Sequence, residues 1–212
     1  MNGAFLCPKF ENPQMIKTDI TVEKLREACA RLGYAFFENG DYNLNVIGIR
    51  TNDNKANTFN DFIVVAYNKY AQWQLKIYEA TTDPGIYWRK HPMNRNGTAI
   101  LVSGQHRGCY QLGMHQGKYQ ALVQSKKLPV YRDNNKDSII DSDCPIDAGW
   151  HGINIHRASS KWQSKQVNKW SAGCQVFANP NNFDYFIELC KKSTRLYGSR
   201  ITYTLIEEKD LA

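Results

Sequence analysis

A chain of 212 residues with 42% hydrophobic and 22% charged residues is long enough to bury a substantial core, and that composition argues against a disordered chain. Lysine plus arginine number 27 against 20 aspartate plus glutamate, and the resulting net charge of +7 favours an anionic partner: nucleic acid, a membrane surface or a carboxylate-rich bacterial wall. No apolar run reaches the roughly eighteen residues a membrane span needs, and no aromatic-interleaved basic cluster or helix-turn-helix pattern supports nucleic-acid binding.

Residues 1–20 read as a tail; their opening, MNGAFLCPKFENPQ, has neither the basic n-region nor the apolar length of a signal peptide. The six cysteines, at 7, 29, 109, 144, 174 and 190, are scattered without close pairs and read as mostly free thiols of a reducing compartment. From Thr21 a helix is predicted, because Val22, Leu25, Cys29 and Leu32 recur at helical spacing, with Thr21 as cap and Gly33 as stop. Asn43–Arg50 alternates as a strand, 51–60 is a polar loop, and Phe62–Tyr67 with Trp73–Tyr78 reads as a hairpin turning near Asn68-Lys69.

Thr81-Thr82-Asp83-Pro84-Gly85 reads as a turn in which Gly85 takes positive φ, followed by a basic, aromatic loop through Trp88, Arg89, Lys90 and His91. Strands follow at Ala99–Val102, Tyr110–Met114 and Tyr119–Gln124. His106, Cys109 and His115 fall among them and are read as loop or packing residues, with the lining of a substrate cleft as the alternative. In Val130–Asp143, the oxygen-bearing Asp133, Asn135, Asp137 and Asp141 occupy positions 1, 3, 5 and 9 of a calcium-loop pattern. Ser138 stands where that pattern wants Gly and Cys144 where it wants a bidentate carboxylate, so a solvated acidic turn is the preferred reading.

Ile153 and Ile155 alternate with Asn154 and His156, which places the two isoleucines on one strand face and Asn154 with His156 on the other. Lys161, Lys165 and Lys169 repeat every four residues beside Trp162 and Trp170; the segment reads either as a lid over an anionic peptide or as a solvated loop. Next comes the turn Ser171-Ala172-Gly173-Cys174. A thiol becomes a useful nucleophile when an imidazole takes its proton, and a glycine beside it permits close backbone approach and amides aimed at an oxyanion. A zinc site of His151, His156 and Cys174 is disfavoured: 151 and 156 are an odd number of residues apart, hence on opposite strand faces, and no fourth ligand follows. Asn179-Pro180 opens a last helix whose Phe183, Phe186, Ile187 and Cys190 form a core face, and Ile201, Tyr203 and Leu205 alternate in a final strand.

His156, a spacer of fourteen residues and then Ser171-Ala172-Gly173-Cys174 resembles the signature of the L,D-transpeptidase (YkuD-type) catalytic domain, in a variant form associated with phage and Bacteroidetes-type chains. The resemblance implies Cys174 as nucleophile, His156 as general base, the amides of Gly173 and Cys174 as oxyanion donors, and the carbonyl of Arg157 as the group that orients the imidazole. Ser171 belongs to the same catalytic turn, while Asn154, Lys169, Trp170 and Gln175 are expected to contact substrate. Ala172 replaces the family's His before Gly, and Val176 its Arg or Asn after Cys, which bears on substrate specificity.

The expected architecture is mainly β with flanking helices (α+β), a mixed-sheet L,D-transpeptidase-like catalytic domain spanning residues 21–212. The expected activity is acyl transfer on peptidoglycan stem peptides through a Cys174 thioester, with no cofactor and no metal. The alternatives are hydrolysis at the same site, as an endopeptidase or carboxypeptidase, and a non-catalytic wall-binding or virion structural protein. Without an export signal, access to the wall would come by phage lysis, virion delivery or loss of a signal already trimmed from the chain.

Overall fold

A computed structural model describes residues 19–53, 57–137, 139–141 and 143–212. Thr21 caps α1 (Val22–Arg31) through a hydrogen bond that its hydroxyl accepts from the Lys24 amide at 3.2 Å, and Gly33 leaves the helix at φ +71°. Val22, Leu25, Ala28 and Cys29 form its buried stripe, and the large aliphatic ones contribute roughly 1.5–3 kcal/mol each by leaving water. Ile20, assigned above to the tail, is buried in the same cluster, so the packed chain begins earlier than expected. Cys7 lies outside the described residues.

The strands in chain order are β1 (Asn45–Arg50), β2 (Asp61–Lys69), β3 (Gln72–Thr81), β4 (Thr98–Leu101), β5 (Gly104–His115), β6 (Tyr119–Gln124), β7 (Leu128–Asp133), β8 (Ile146–Gly149), β9 (Ile155–Arg157), β10 (Gln175–Phe177) and β11 (Ile201–Glu207). Eight of them close a barrel in the order β1-β11-β5-β6-β9-β10-β3-β2, and β4-β7-β8 form a separate three-stranded sheet. The protein is therefore mainly β with helices, and its sheet is mixed: β1 with β11 and β9 with β10 run parallel, while the other pairs run antiparallel. Among the described residues no helix is long and apolar enough to cross a membrane.

Because strand side chains alternate, β2 serves two cores at once. Ile63, Val65 and Tyr67 pack with α3 (Pro180–Tyr197), whereas Phe62, Val64 and Ala66 pack with α1. The α3 helix starts as expected, Asn179 accepting from the Asn181 and Asn182 amides, and it buries Phe183, Phe186, Ile187 and Cys190.

Three local expectations are corrected. The hairpin strands run through Asn68-Lys69 and turn at Tyr70-Ala71, with φ +53° and +58°; a two-residue loop of this hand demands left-handed backbone even without the usual Gly or Asn. Gly85 has φ −70°, not positive, and its glycine requirement is steric: a Cβ there would lie 2.1 Å from the Asn168 carbonyl oxygen. The basic, aromatic loop is a short helix, α2 (Ile86–Lys90), whose Arg89 is buried against Asp133.

A buried polar network ties the ends of three barrel strands together. Asp61 accepts from the amide and hydroxyl of Thr51 at 2.9 and 3.0 Å and from those of Thr82 at 2.7 and 2.9 Å, tying β1 and β3 through one carboxylate. Thr82 in turn accepts, at its carbonyl, from the Gln175 amide at 3.2 Å, which carries the network to the strand that follows Cys174.

Candidate active site

Strand β9 pairs with β10 in the register Ile155 to Gln175 and His156 to Val176, so His156 stands on the strand beside the one that Cys174 introduces. The strand expected from Ile153 begins only at Ile155, after Gly152 at φ +69°, yet Asn154 and His156 do share a side: both line a cleft of about 790 Å³ with Cys174. Because the alternation does not extend back to residue 151, the argument that separated His151 from His156 fails, and His151 lines that cleft too. Its ring is committed, one nitrogen to the Arg132 guanidinium at 3.0 Å and the other to the Asp147 carbonyl at 3.1 Å. The three residues form no metal-ligand group.

Gly173 has φ +122°, and a Cβ on it would lie 2.4 Å from the Ala99 carbonyl oxygen; only glycine brings the turn this close to β4. Fully buried Ser171 clamps the turn, its hydroxyl donating to the Cys174 carbonyl at 2.8 Å and accepting from the Gly173 amide at 3.1 Å. Two expectations change as a result. Ser171 shapes the turn without reaching the cleft, and the Gly173 N–H is already spent on Ser171, which leaves the Cys174 amide of the expected oxyanion pair.

The His156 Nδ1 lies 2.8 Å from the Arg157 carbonyl, the contact the resemblance implied. A carbonyl only accepts, so Nδ1 carries the proton and Nε2 keeps its lone pair. Tyr119 donates to the same carbonyl at 3.2 Å and braces it. Burial first, then His115 and Arg157, push the His156 pKa down to about 3, so the ring is neutral near pH 7.

Cys174 is partly exposed. Its sulfur lies 3.4 Å from the Gly152 carbonyl, to which the thiol donates, and accepts from the Asn154 amide at 3.4 Å; the resting sulfur has no hydrogen bond to His156. Burial pushes the thiol up to about 11, opposed by the Asn154 amide. The resting pair is thus neutral thiol with neutral imidazole, rather than thiolate beside imidazolium.

His115, read from sequence as a loop or packing residue, belongs to this site. It is 8% exposed, and its ring stacks on His156 with centroids 4.1 Å apart and planes at 19°. The Asn154 side chain accepts from the Gln124 amide at 2.9 Å and donates to His115 Nδ1 at 3.2 Å, so its amide is committed to holding that second imidazole. His106 and Cys109 keep packing roles in β5, the His106 ring bonded to the Val102 carbonyl at 3.0 Å and Cys109 buried.

Gln175 is fully buried, donating to the carbonyls of Thr82 and Gly173 and accepting from the Tyr203 hydroxyl at 2.8 Å. It cannot meet substrate. Lys169 and Trp170 do line the cleft, whereas Trp162 and Lys165 face a different hollow. Between them the loop is pinned by Ser164 to the Ala178 carbonyl at 2.9 Å and Val167 to the Asn57 carbonyl at 3.1 Å. The lid and solvated-loop readings therefore divide the segment: its second end walls the cleft, its first end faces water.

Ala172 lines the cleft, and Val176 is buried on β10. The acidic loop is largely the solvated turn expected, with Asn134, Asn135, Lys136 and Asp137 exposed, but its first carboxylate is withdrawn from water. Asp133 is 3% exposed and ion-paired with Arg89, which also reaches Asp137 at 3.5 Å, while Asn135 donates to Asp137 and Asp141 at 3.0 and 2.6 Å. Asp133, Asp141 and Cys144 place ligand atoms within 4.8 Å of one another, but the Arg89 guanidinium supplies the positive charge there. Ser138 lies outside the described residues.

Fold and site together define a mainly β, mixed-sheet protein with a thiol and two stacked imidazoles in one cleft. No protein-family model matches the chain, and neither does any curated protein or solved structure.

Proposed function

We propose that the protein is an L,D-transpeptidase-like cysteine acyltransferase acting on peptidoglycan stem peptides. The observation that carries this reading is the His156 tautomer: with Nδ1–H held by the Arg157 carbonyl at 2.8 Å, Nε2 is left as the acceptor nitrogen of a ring that lines the same cleft as Cys174. Parallel pairing of β9 and β10 supports it by setting the base on the strand beside the one that Cys174 immediately precedes.

In the first step the Cys174 sulfur leaves the Gly152 carbonyl and attacks a stem-peptide carbonyl carbon, while its proton passes to His156 Nε2. The Cys174 amide holds the oxyanion. Collapse breaks the C–N bond, His156 returns the proton to the departing amine, and a thioester remains. In the second step an acceptor amine attacks the thioester, gives a proton to His156 and forms a new amide; the thiolate leaves and recovers that proton. Water in place of the amine gives hydrolysis instead.

The test is mass spectrometry of purified peptidoglycan incubated with the wild type and with Cys174→Ala. New cross-linked stems with the wild type alone support transfer, and shortened stems support hydrolysis. Identical profiles on wall material from several bacterial sources would overturn the enzymatic reading and leave a wall-binding or structural role.

A further inference from the structure

The His115–His156 stack separates two cavities. Cys174 lines the first; the second, of about 800 Å³, shares His115, Gln116, His156, Lys169 and Trp170 with it but lacks the thiol. Lys90, Lys118, Arg157 and Lys169 line this second chamber together with His91, and no aspartate or glutamate does. Among the described residues none of those four cations has a carboxylate partner.

Two of them are held by aromatic faces instead. The Lys169 ammonium lies 4.1 Å from the Tyr87 ring centroid and the Arg157 guanidinium 4.0 Å from that of Tyr119. A ring face fixes a cation in place without cancelling its charge. The first cavity shares Lys169, but its own cation, Arg132, is paired with Asp147 at 2.9 Å, and that carboxylate lines the cavity as well. The uncompensated field reaches the stack itself: after burial, Lys118 and Arg157 are what lower the His115 pKa. Concave walls carrying one sign of charge concentrate counter-ions.

We propose that the second chamber is a carboxylate-binding subsite, which takes an anionic substituent of a peptide and so sets which carbonyl is presented to Cys174. Its role in choosing the scissile bond rests on the acyl-transfer reading; the binding of the carboxylate does not.

The experiment is an amide-shift titration of the 15N-labelled full chain with glutarate, with the uncharged glutaramide and with inorganic phosphate, each at low and at raised salt. Glutarate is expected to move resonances at residues 115–119, 157–160 and 168–170, to bind at least about fivefold more tightly than glutaramide, and to weaken with salt. Lys90→Gln combined with Lys118→Gln replaces two exposed side chains and is expected to weaken glutarate about fivefold to tenfold with glutaramide unchanged. Unmoved resonances outside the chamber certify its fold.

Equal binding of glutarate and glutaramide, tighter binding of phosphate, or an unaltered double variant would each overturn the subsite. Glutarate selectivity with no change to peptidoglycan would retire acyl transfer and keep the subsite. Turnover of peptidoglycan without glutarate selectivity would do the reverse.

Discussion

The cleft around Cys174 and the acidic loop after β7 are both clusters of polar residues with catalytic or ligand chemistry, yet they end in opposite states. In the loop the carboxylates are consumed internally: Asp133 and Asp137 by Arg89, Asp141 by Asn135. In the cleft the supporting groups Asn154, Ser171 and Arg157 are spent on backbone and ring contacts, while His156 Nε2 is left with its lone pair and the cationic chamber with unpaired charge. A cluster satisfied from within stabilises the fold, and one held in place with its reactive atoms unspent is equipped to act on something else.

The largest expected effect falls on the cleft. His156→Gln removes the proton acceptor, and acyl transfer is expected to fall by about 10²–10⁴-fold while the melting temperature at pH 7.5 stays close to wild type; steady-state assays beside thermal unfolding check both. The loop should respond in the opposite sense. Arg89→Met strands the buried Asp133 charge and is expected to cost roughly 3–5 kcal/mol in denaturant unfolding; a loss below about 1 kcal/mol would show that the pair is not what closes the loop.

The smallest effect is one of pH. His156 and His115 titrate below their usual range in the folded protein, so the unfolded chain binds more protons as pH falls below about 6.5. Their contribution to stability is complete above that pH and is lost progressively toward about 3, the folded value of His156. His156→Gln should therefore show a shallower decline of melting temperature between pH 6.5 and 4 than the wild type. Parallel declines would contradict the buried, neutral imidazole.

Much of the scaffold is legible in local sequence, because its signals are local. Thr21 and Asn179 are caps, Leu25 and Phe186 sit on apolar helical stripes, and Tyr119–Gln124 is a strand to the residue. The closure of the barrel is not, since β1 pairs with β11 and β9 with β10 in parallel, and parallel partners share no turn that would announce them. The Tyr70-Ala71 turn escapes because neither residue favours positive φ.

At the site, His156, Cys174 and Gly173 stand out through their spacing, and the Arg157 carbonyl contact follows from the resemblance. His115 does not, because one histidine at a strand end gives no sign that its ring will stack on another from a strand far along the chain. Gln175 misleads for the opposite reason. It is polar and next to the nucleophile, yet strand alternation turns it inward to Tyr203. Arg89 looks like a surface base until Asp133, distant in sequence, is brought against it.

The measurement that bears most directly on the central claim is intact-protein mass spectrometry of the wild type, Cys174→Ala and His156→Gln mixed with a stem tetrapeptide and quenched in acid. The account predicts a covalent adduct on the wild type equal in mass to the peptide less its departing amine, mapped to Cys174, absent from Cys174→Ala and slow to form on His156→Gln. An adduct of equal yield on Cys174→Ala, or none on the wild type while peptidoglycan is still remodelled, would contradict it.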